Sequence, residues 1–161
     1  GGTPVMWKTG HSLIKDKMKE LHAPVAGEMS GHMFFAEGFY GHDDALYGAA
    51  RLLRIVADSG RSVQELLSDV PPFFSTPEIR VDCGDERKFP LVEAAAKHFK
   101  ATHDVIDVDG VRVLFGDGWG LIRASNTQPI LVTRYEALTQ DRLQAIRDEM
   151  EGWLRSQGVS P

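Results

Sequence analysis

The chain has 161 residues, 42% of them apolar, with 18 basic and 23 acidic side chains and a formal charge of −5. That apolar content supplies one ordinary core or two small ones, and no basic excess or stripe suits a nucleic-acid surface. The single cysteine, Cys83, excludes an internal disulfide and a cysteine metal cluster, and no apolar run nears the roughly eighteen residues of a membrane span.

Val5-Met6-Trp7 has strand character, and residues 9–12 read as a turn in which Ser12 can cap a helix. Leu13, Ile14, Met18 and Leu21 give that helix its apolar side, while Lys15, Asp16, Lys17 and Lys19 face water. Pro24 ends it. Val25-Ala26 is a short strand leading into Gly27-Glu28, and Met33-Phe34-Phe35 is a second apolar run. Asp43 and Asp44 suit a helix start, where exposed backbone amides favour carboxylates. Leu46, Ala50, Leu53 and Val56-Ala57 recur at helical spacing, Gly60 stops that helix, and Ser62 with Glu65 forms a capping box for a short one.

The pair Pro71-Pro72 breaks the pattern and places a domain boundary, giving a short α/β domain over 1–70 and an α+β domain over 71–161. Ile79, Val81 and Cys83 alternate as a strand. Pro90 suits the first position of a helix whose face carries Leu91, Ala94-Ala95 and His98-Phe99. Asp109-Gly110 and Asp117-Gly118 read as hairpin turns, separating Val105-Ile106-Asp107-Val108, the alternating Val111, Val113 and Phe115, and a strand with Trp119, Leu121 and Arg123. Ile130, Val132 and Arg134 alternate next. Thr139 opens a last helix with the stripe Leu143, Ile146, Met150 and Trp153-Leu154. The second half is expected to run strand, helix, three further strands, helix, as an antiparallel sheet with helices on one face.

Two segments concentrate polar chemistry. Arg123-Ala124-Ser125-Asn126-Thr127-Gln128-Pro129 places a guanidinium, two hydroxyls and a carboxamide between two strands. Arg123 can bind a phosphate or carboxylate through parallel charge-assisted bonds, and Ser125, Asn126 and Thr127 can donate to it. The same loop reads equally as a strand connector whose side chains cap its own backbone. Arg134 either adds to this positive field or is an edge-strand arginine. In Gly27-Glu28-Met29-Ser30-Gly31-His32, Glu28 stands at a strand's carboxyl end, where α/β domains bind ligands. Glu28 can accept from vicinal hydroxyls and Ser30 can donate to them; an ordinary turn with a capping serine is the other reading, with Met29 packed inward. His32 can donate to an anion, shuttle a proton or serve structure alone. Lys8 and His11 flank the first turn and share that choice. His32, His42, Asp43 and Asp44 carry zinc-capable atoms without a recognised ligand spacing.

Trp7-Lys8-Thr9-Gly10-His11-Ser12, Gly27 to His32, Phe34-Phe35 with Asp43-Asp44, and Gly118-Trp119-Gly120 through Pro129 together resemble the bacterial phosphomannomutase/phosphoglucomutase branch of the α-D-phosphohexomutases. The resemblance covers essentially the whole chain. It implies the end of an α/β third domain, followed by the whole TBP-like α+β fourth domain. It also implies an enzyme that moves a phosphoryl group between the 1 and 6 positions of a hexose through a bisphosphorylated sugar. Glu28 and Ser30 then resemble the sugar-hydroxyl contacts, and Lys8, His11 and His32 their companions near sugar or phosphate. Arg123, Ser125, Asn126 and Thr127 resemble the clamp on the non-reacting phosphate.

The family's phosphoserine loop and aspartate-rich magnesium loop have no counterpart in these residues. The resemblance therefore implies that Mg2+ and glucose 1,6-bisphosphate belong to the complete enzyme, with no metal or cofactor held by this chain alone. It implies hexose phosphates and the enzyme's N-terminal domains as partners, with no nucleic acid or membrane, and a chain inactive alone. The opening Gly1-Gly2-Thr3-Pro4 lacks signal-peptide features, so a cytoplasmic location is expected. The competing reading is a non-catalytic phosphosugar-binding or protein-interaction module.

Overall fold

The computed structural model of the chain describes residues 2–161. Their contacts divide into two compact units, one ending at Val70 and the other spanning Pro71–Pro161.

The first unit runs α1 (His11–Leu21), β1 (Val25–Gly27), β2 (Met33–Phe35), α2 (Ala45–Ser59) and α3 (Val63–Leu66). Residues 2–8 carry no regular structure, so the strand expected at Val5-Met6-Trp7 does not form. Trp7 instead lies under the Lys17 ammonium, 4.3 Å from the ring centre, an attraction between cation and aromatic face. Only Ile14 and Met18 of α1 are buried, against Phe34; Leu13 and Leu21 stay exposed. Ser12 does not cap α1. The capping position is Gly10, with φ 136°, and its N–H donates to Glu28 Oε1 at 3.1 Å. The loop after β1 therefore sets the entry of the helix.

β1 and β2 pair antiparallel, Val25 opposite Phe35 and Gly27 opposite Met33, which leaves residues 28–32 as their connection. The Asp44 carboxylate caps α2 by accepting from Tyr47 N at 2.8 Å. Gly60 closes α2 in the left-handed region, φ 64°. Ser62 and Glu65 form both halves of the capping box on α3.

The second unit runs β3 (Phe74–Ser75), β4 (Ile79–Asp82), α4 (Asp85–Phe99), β5 (Asp104–Ile106), β6 (Val111–Leu114), β7 (Gly118–Ala124), β8 (Ile130–Ala137) and α5 (Gln140–Ser156). The six strands make one antiparallel sheet in the order β3-β8-β7-β6-β5, with β4 also on β8. Four strands follow α4 rather than three, because β5 pairs with β6 across the Asp109-Gly110 turn. Pro90 lies inside α4 instead of opening it. The helix starts earlier because Asp85 and Glu86 occupy its first turn, where carboxylates complement the free backbone amides.

Both helices cover the same face of the sheet. Val81, Val113, Ile122, Leu131 and Tyr135 meet Leu91, Ala95 and Phe99 of α4 and Leu143, Ile146, Met150 and Leu154 of α5. Burying an aliphatic side chain of this size contributes about 1.5–3 kcal/mol. The pairs Arg147–Glu151 and Arg155–Glu151 on α5 share a nearly buried carboxylate, whose desolvation offsets much of their attraction. The apolar stripe therefore decides how α5 docks. Strand alternation sends Arg112, Trp119, Leu121, Arg123 and Arg134 to the other face, with Arg123 opposite Val132 and Arg134 opposite Leu121. There Arg112 lies 4.0 Å over the Trp119 ring, and Trp119 Nε1 donates to Glu136 at 3.3 Å.

Gly118 starts β7 where backbone and helix come close. A Cβ there would stand 2.5 Å from Glu136 O, 2.6 Å from Ile146 Cδ1 and 2.8 Å from Ala137 Cβ. Gly118→Ala is expected to destabilise the second unit by about 1–3 kcal/mol, the usual cost of overpacking. A urea unfolding midpoint equal to the parent's would show that α5 does not close on β7 in this way.

Candidate functional site

The first polar site grows from the loop between β1 and β2. Glu28 N donates to His32 O at 2.9 Å, and Gly31 N donates to Glu28 O at 3.0 Å. This tight loop holds Glu28 at the carboxyl end of β1. One Glu28 oxygen accepts from Gly10 N, and the other accepts from the Ser30 hydroxyl at 3.1 Å. Glu28 thus ties the loop of 28–32 to the turn before α1. Met29 does not pack inward; it is 70% exposed. Lys8 lies on the exposed segment that leads into the same turn.

Asp43 completes this site. His32 Nδ1 and Asp43 Oδ2 share a hydrogen bond of 2.7 Å, and His11 Nε2 lies 3.5 Å from the same oxygen. The two imidazole centres are 4.6 Å apart. Asp43 Oδ1 accepts from Met33 N at 3.3 Å, which fixes the carboxylate against β2. Burial pushes the Asp43 carboxyl up, but the His32 hydrogen bond and the charges of His32 and His11 outweigh it and hold it below its ordinary value. In the sequence Asp43 and Asp44 together suit a helix start. One carboxylate suffices for a cap, and Asp44 supplies it. The second, beside a histidine-bearing loop, was the available signal.

His11, His32 and Asp43 offer three ligand atoms within 4.8 Å of one another, a partial cluster able to hold a metal ion. It differs from the set considered from sequence: Asp44 is engaged by α2, and His42 stacks 6.0 Å from Tyr40. Two imidazoles and one carboxylate suit nitrogen-binding transition metals; Mg2+ favours an all-oxygen shell. A cavity of about 660 Å³ in this unit is lined by Lys15, Lys19, His22, Glu37, Tyr40 and His42 among others. It excludes Glu28, Ser30 and Asp43, and we place the chemistry at the convergent polar groups instead.

The second polar site is the connection from β7 to β8. Ser125 N donates to Ile130 O at 3.0 Å, closing the loop at its base. The nearly buried Ser125 Oγ accepts from Thr127 N at 3.3 Å and from Gln128 N at 3.2 Å. A hydroxyl that accepts twice keeps its hydrogen to donate. The connector and anion readings therefore meet in one residue: Ser125 satisfies the loop's backbone, while Asn126 and Thr127 stay exposed. Arg123 points to the open face of the sheet, and its Nη1 donates to Asp109 Oδ2 at 3.3 Å. Arg134 shares that face through its register with Leu121.

Asp109-Gly110 reads in the sequence as a turn and carries no signal that Asp109 meets Arg123. Gly110, at φ 82°, packs its backbone so closely that a Cβ would lie 2.5 Å from Ile122 O and 2.9 Å from Arg123 Cα. The turn is a turn, and it also presses Asp109 onto Arg123.

An α/β unit followed by an α+β unit with an open antiparallel sheet, each with a polar loop at a strand end, is the pairing that closes a phosphohexomutase-type protein. Residues 1–74 match the domain described as Phosphoglucomutase/phosphomannomutase, alpha/beta/alpha domain III, and residues 78–152 match Phosphoglucomutase/phosphomannomutase, C-terminal domain. The chain belongs to the phosphoglucomutase/phosphomannomutase family. A phosphomannomutase/phosphoglucomutase of Pseudomonas aeruginosa is 48% identical over 157 residues, covering 97% of this chain and 34% of that protein. A phosphoglucomutase of Neisseria gonorrhoeae is 46% identical over 159 residues, with the same coverage of 97% and 34%. The crystal structure of a phosphoglucomutase/phosphomannomutase family protein from Burkholderia thailandensis aligns with TM-score 0.82 and 44% identity, over 97% of this chain and 33% of that one. The chain thus spans about a third of the length of the curated relatives it matches. No helix among the described residues is long and apolar enough to cross a membrane.

The lowered Asp43 value fixes a sign for pH. Its contribution to stability is present above the unfolded-state carboxyl value and is lost as pH falls through the lower folded value. The Asp43 carboxyl carbon, followed by NMR, is expected to titrate with a midpoint below about 3.9. In His32→Ala the midpoint should rise, because burial then acts against weaker opposition. An unchanged midpoint in that variant would refute the pairing.

Proposed function

We propose that the chain is the substrate-binding carboxy-terminal part of a phosphomannomutase/phosphoglucomutase. That enzyme would interconvert hexose 1-phosphate and hexose 6-phosphate through a bisphosphorylated sugar. The observation that carries this reading is the 125–129 loop. Ser125 Oγ accepts from the Thr127 and Gln128 amides, which leaves its own hydrogen and the Asn126 and Thr127 side chains for an anion, beside an Arg123 held in place by Asp109. In this reading Arg123, Ser125, Asn126 and Thr127 hold the phosphate that does not react, and Arg134 adds positive charge on the same face. Glu28 accepts from sugar hydroxyls and Ser30 donates to them. Lys8, His11 and His32 stand near sugar or phosphate, with Asp43 orienting His32.

The physical logic is positioning. Phosphoryl transfer needs alignment and charge stabilisation more than covalent assistance from the protein. Glu28 and Ser30 bind hydroxyls that a hexose presents in either of two orientations, so one site serves both phosphate positions. The same tolerance admits glucose or mannose where neither residue reads the 2-hydroxyl. His32, held by Asp43, is placed to hold or pass a proton. The phosphoserine and the Mg2+ that stabilises transferring phosphoryl charge belong, in this reading, to the enzyme's other domains, with glucose 1,6-bisphosphate as the activating intermediate. These 161 residues alone would bind substrate without turning it over. Charged hexose phosphates and the absence of a need for secretion make the cytoplasm the proposed location.

Titration of the chain with glucose 1-phosphate by calorimetry tests this. Arg123→Ala should weaken binding roughly 10- to 100-fold, as expected for loss of charged hydrogen bonds worth about 1.5–3 kcal/mol. Absence of binding by the parent chain, or equal binding by Arg123→Ala, would sink the clamp assignment.

A further inference from the structure

Lys88 is the one lysine buried in the second unit's described residues, with its side chain only 5% exposed. Lysine is almost never buried this far unless it is paired. Its ammonium faces two acceptors. Asp85 Oδ1, one turn earlier on α4, lies 2.6 Å away on the solvent side and belongs to a side chain that is 74% exposed. Gln128 O, in the 125–129 loop, accepts from Lys88 Nζ at 3.0 Å across 40 residues of sequence.

The Gln128 carbonyl is a particular target. The peptide between Gln128 and Pro129 has no N–H, because its nitrogen belongs to proline. That carbonyl is therefore the only polar group by which the peptide can be anchored. Neighbouring contacts hold the same stretch. Cys83 N donates to Pro129 O at 3.3 Å, and Arg80 Nη1 donates to the Gln128 side-chain Oε1 at 3.3 Å. The loop is thus fixed from inside by Ser125 and from beneath by the corner between β4 and α4.

We propose that Lys88 is a positioning residue for the phosphate loop. It grips the Gln128 carbonyl and so holds Thr127 and Gln128 in the turn that frees the Ser125 hydrogen for the ligand. It does not touch the phosphate itself. The inference deepens the clamp reading above and rests on it. Burying a cation is costly unless its bonds are made, so a lysine kept here has to return that cost through the contacts it makes. The shorter contact, to Asp85, stays within α4. The contact that reaches another element is the one to the loop.

The test compares Lys88→Met and Lys88→Gln in the whole 161-residue chain. Methionine keeps the packing without a donor; glutamine keeps a donor for the carbonyl without the charge. Amide hydrogen exchange is read at Thr127 and Gln128, and calorimetry follows glucose 1-phosphate. In Lys88→Met, exchange at both amides should accelerate and affinity should fall, each about tenfold for one lost charged hydrogen bond. Exchange in α5 should stay at the parent rate. Lys88→Gln should recover most of both losses, which a purely space-filling role for Lys88 would not produce. Parent-like exchange and affinity in Lys88→Met would overturn the proposal while leaving the clamp intact. Failure of the parent chain to bind glucose 1-phosphate would instead overturn the clamp and, with it, the role assigned to Lys88.

Discussion

The antiparallel pairing of β7 with β8 is the constraint on which the polar 125–129 loop depends. Seven residue pairs run from Gly118 opposite Ala137 to Ala124 opposite Leu131. Side chains alternate along a strand, so a slip by one residue would move each of them to the other face. In the observed register Ile122 enters the core and Arg123 faces outward. The register holds because the inward set is the one that α4 and α5 can cover. The position of the guanidinium is therefore a by-product of hydrophobic packing, and Gly118 and Gly120 let the helix lie close enough to enforce it.

Carboxylates stand behind the basic side chains of both polar sites. Asp43 backs His32 and His11, Asp109 backs Arg123, and Asp85 backs Lys88. Each pairing orients a flexible or rotatable group before an anion arrives, which lowers the entropy lost on binding. It also means that an incoming phosphate competes with the Asp109 carboxylate for Arg123. Glu28 differs from the other three. Its oxygens accept from a backbone amide and a hydroxyl, so it retains acceptor capacity suited to sugar hydroxyls.

Much of the architecture was legible because local signals agreed with one another. The Ser62–Glu65 box, Gly60, the Thr139 cap and the stripe of α5 each have one stable solution. Other local signals yield to a competing group, distant or near, or to a missing one. Ser12 lost the cap of α1 because Glu28 reaches Gly10 from another loop. Pro90 does not open α4, because the acidic residues before it do. Val5-Met6-Trp7 has strand composition, but a strand needs a neighbour, and the described residues provide none at that place.

By itself, the sequence determined most of the helices, the inward-facing set of the second sheet and the two polar loops with Glu28, Ser30, Arg123 and Ser125 in them. These follow from periodicity and from turn chemistry, which act over a few residues. Tertiary structure alone decided which groups far apart in the chain meet. Asp43 joins His11 across 32 positions, Asp109 joins Arg123 across 14, and Lys88 meets Gln128 across 40. Such pairs are set by how strands and helices stack, and no pattern along the chain encodes the distance between side chains that folding brings together.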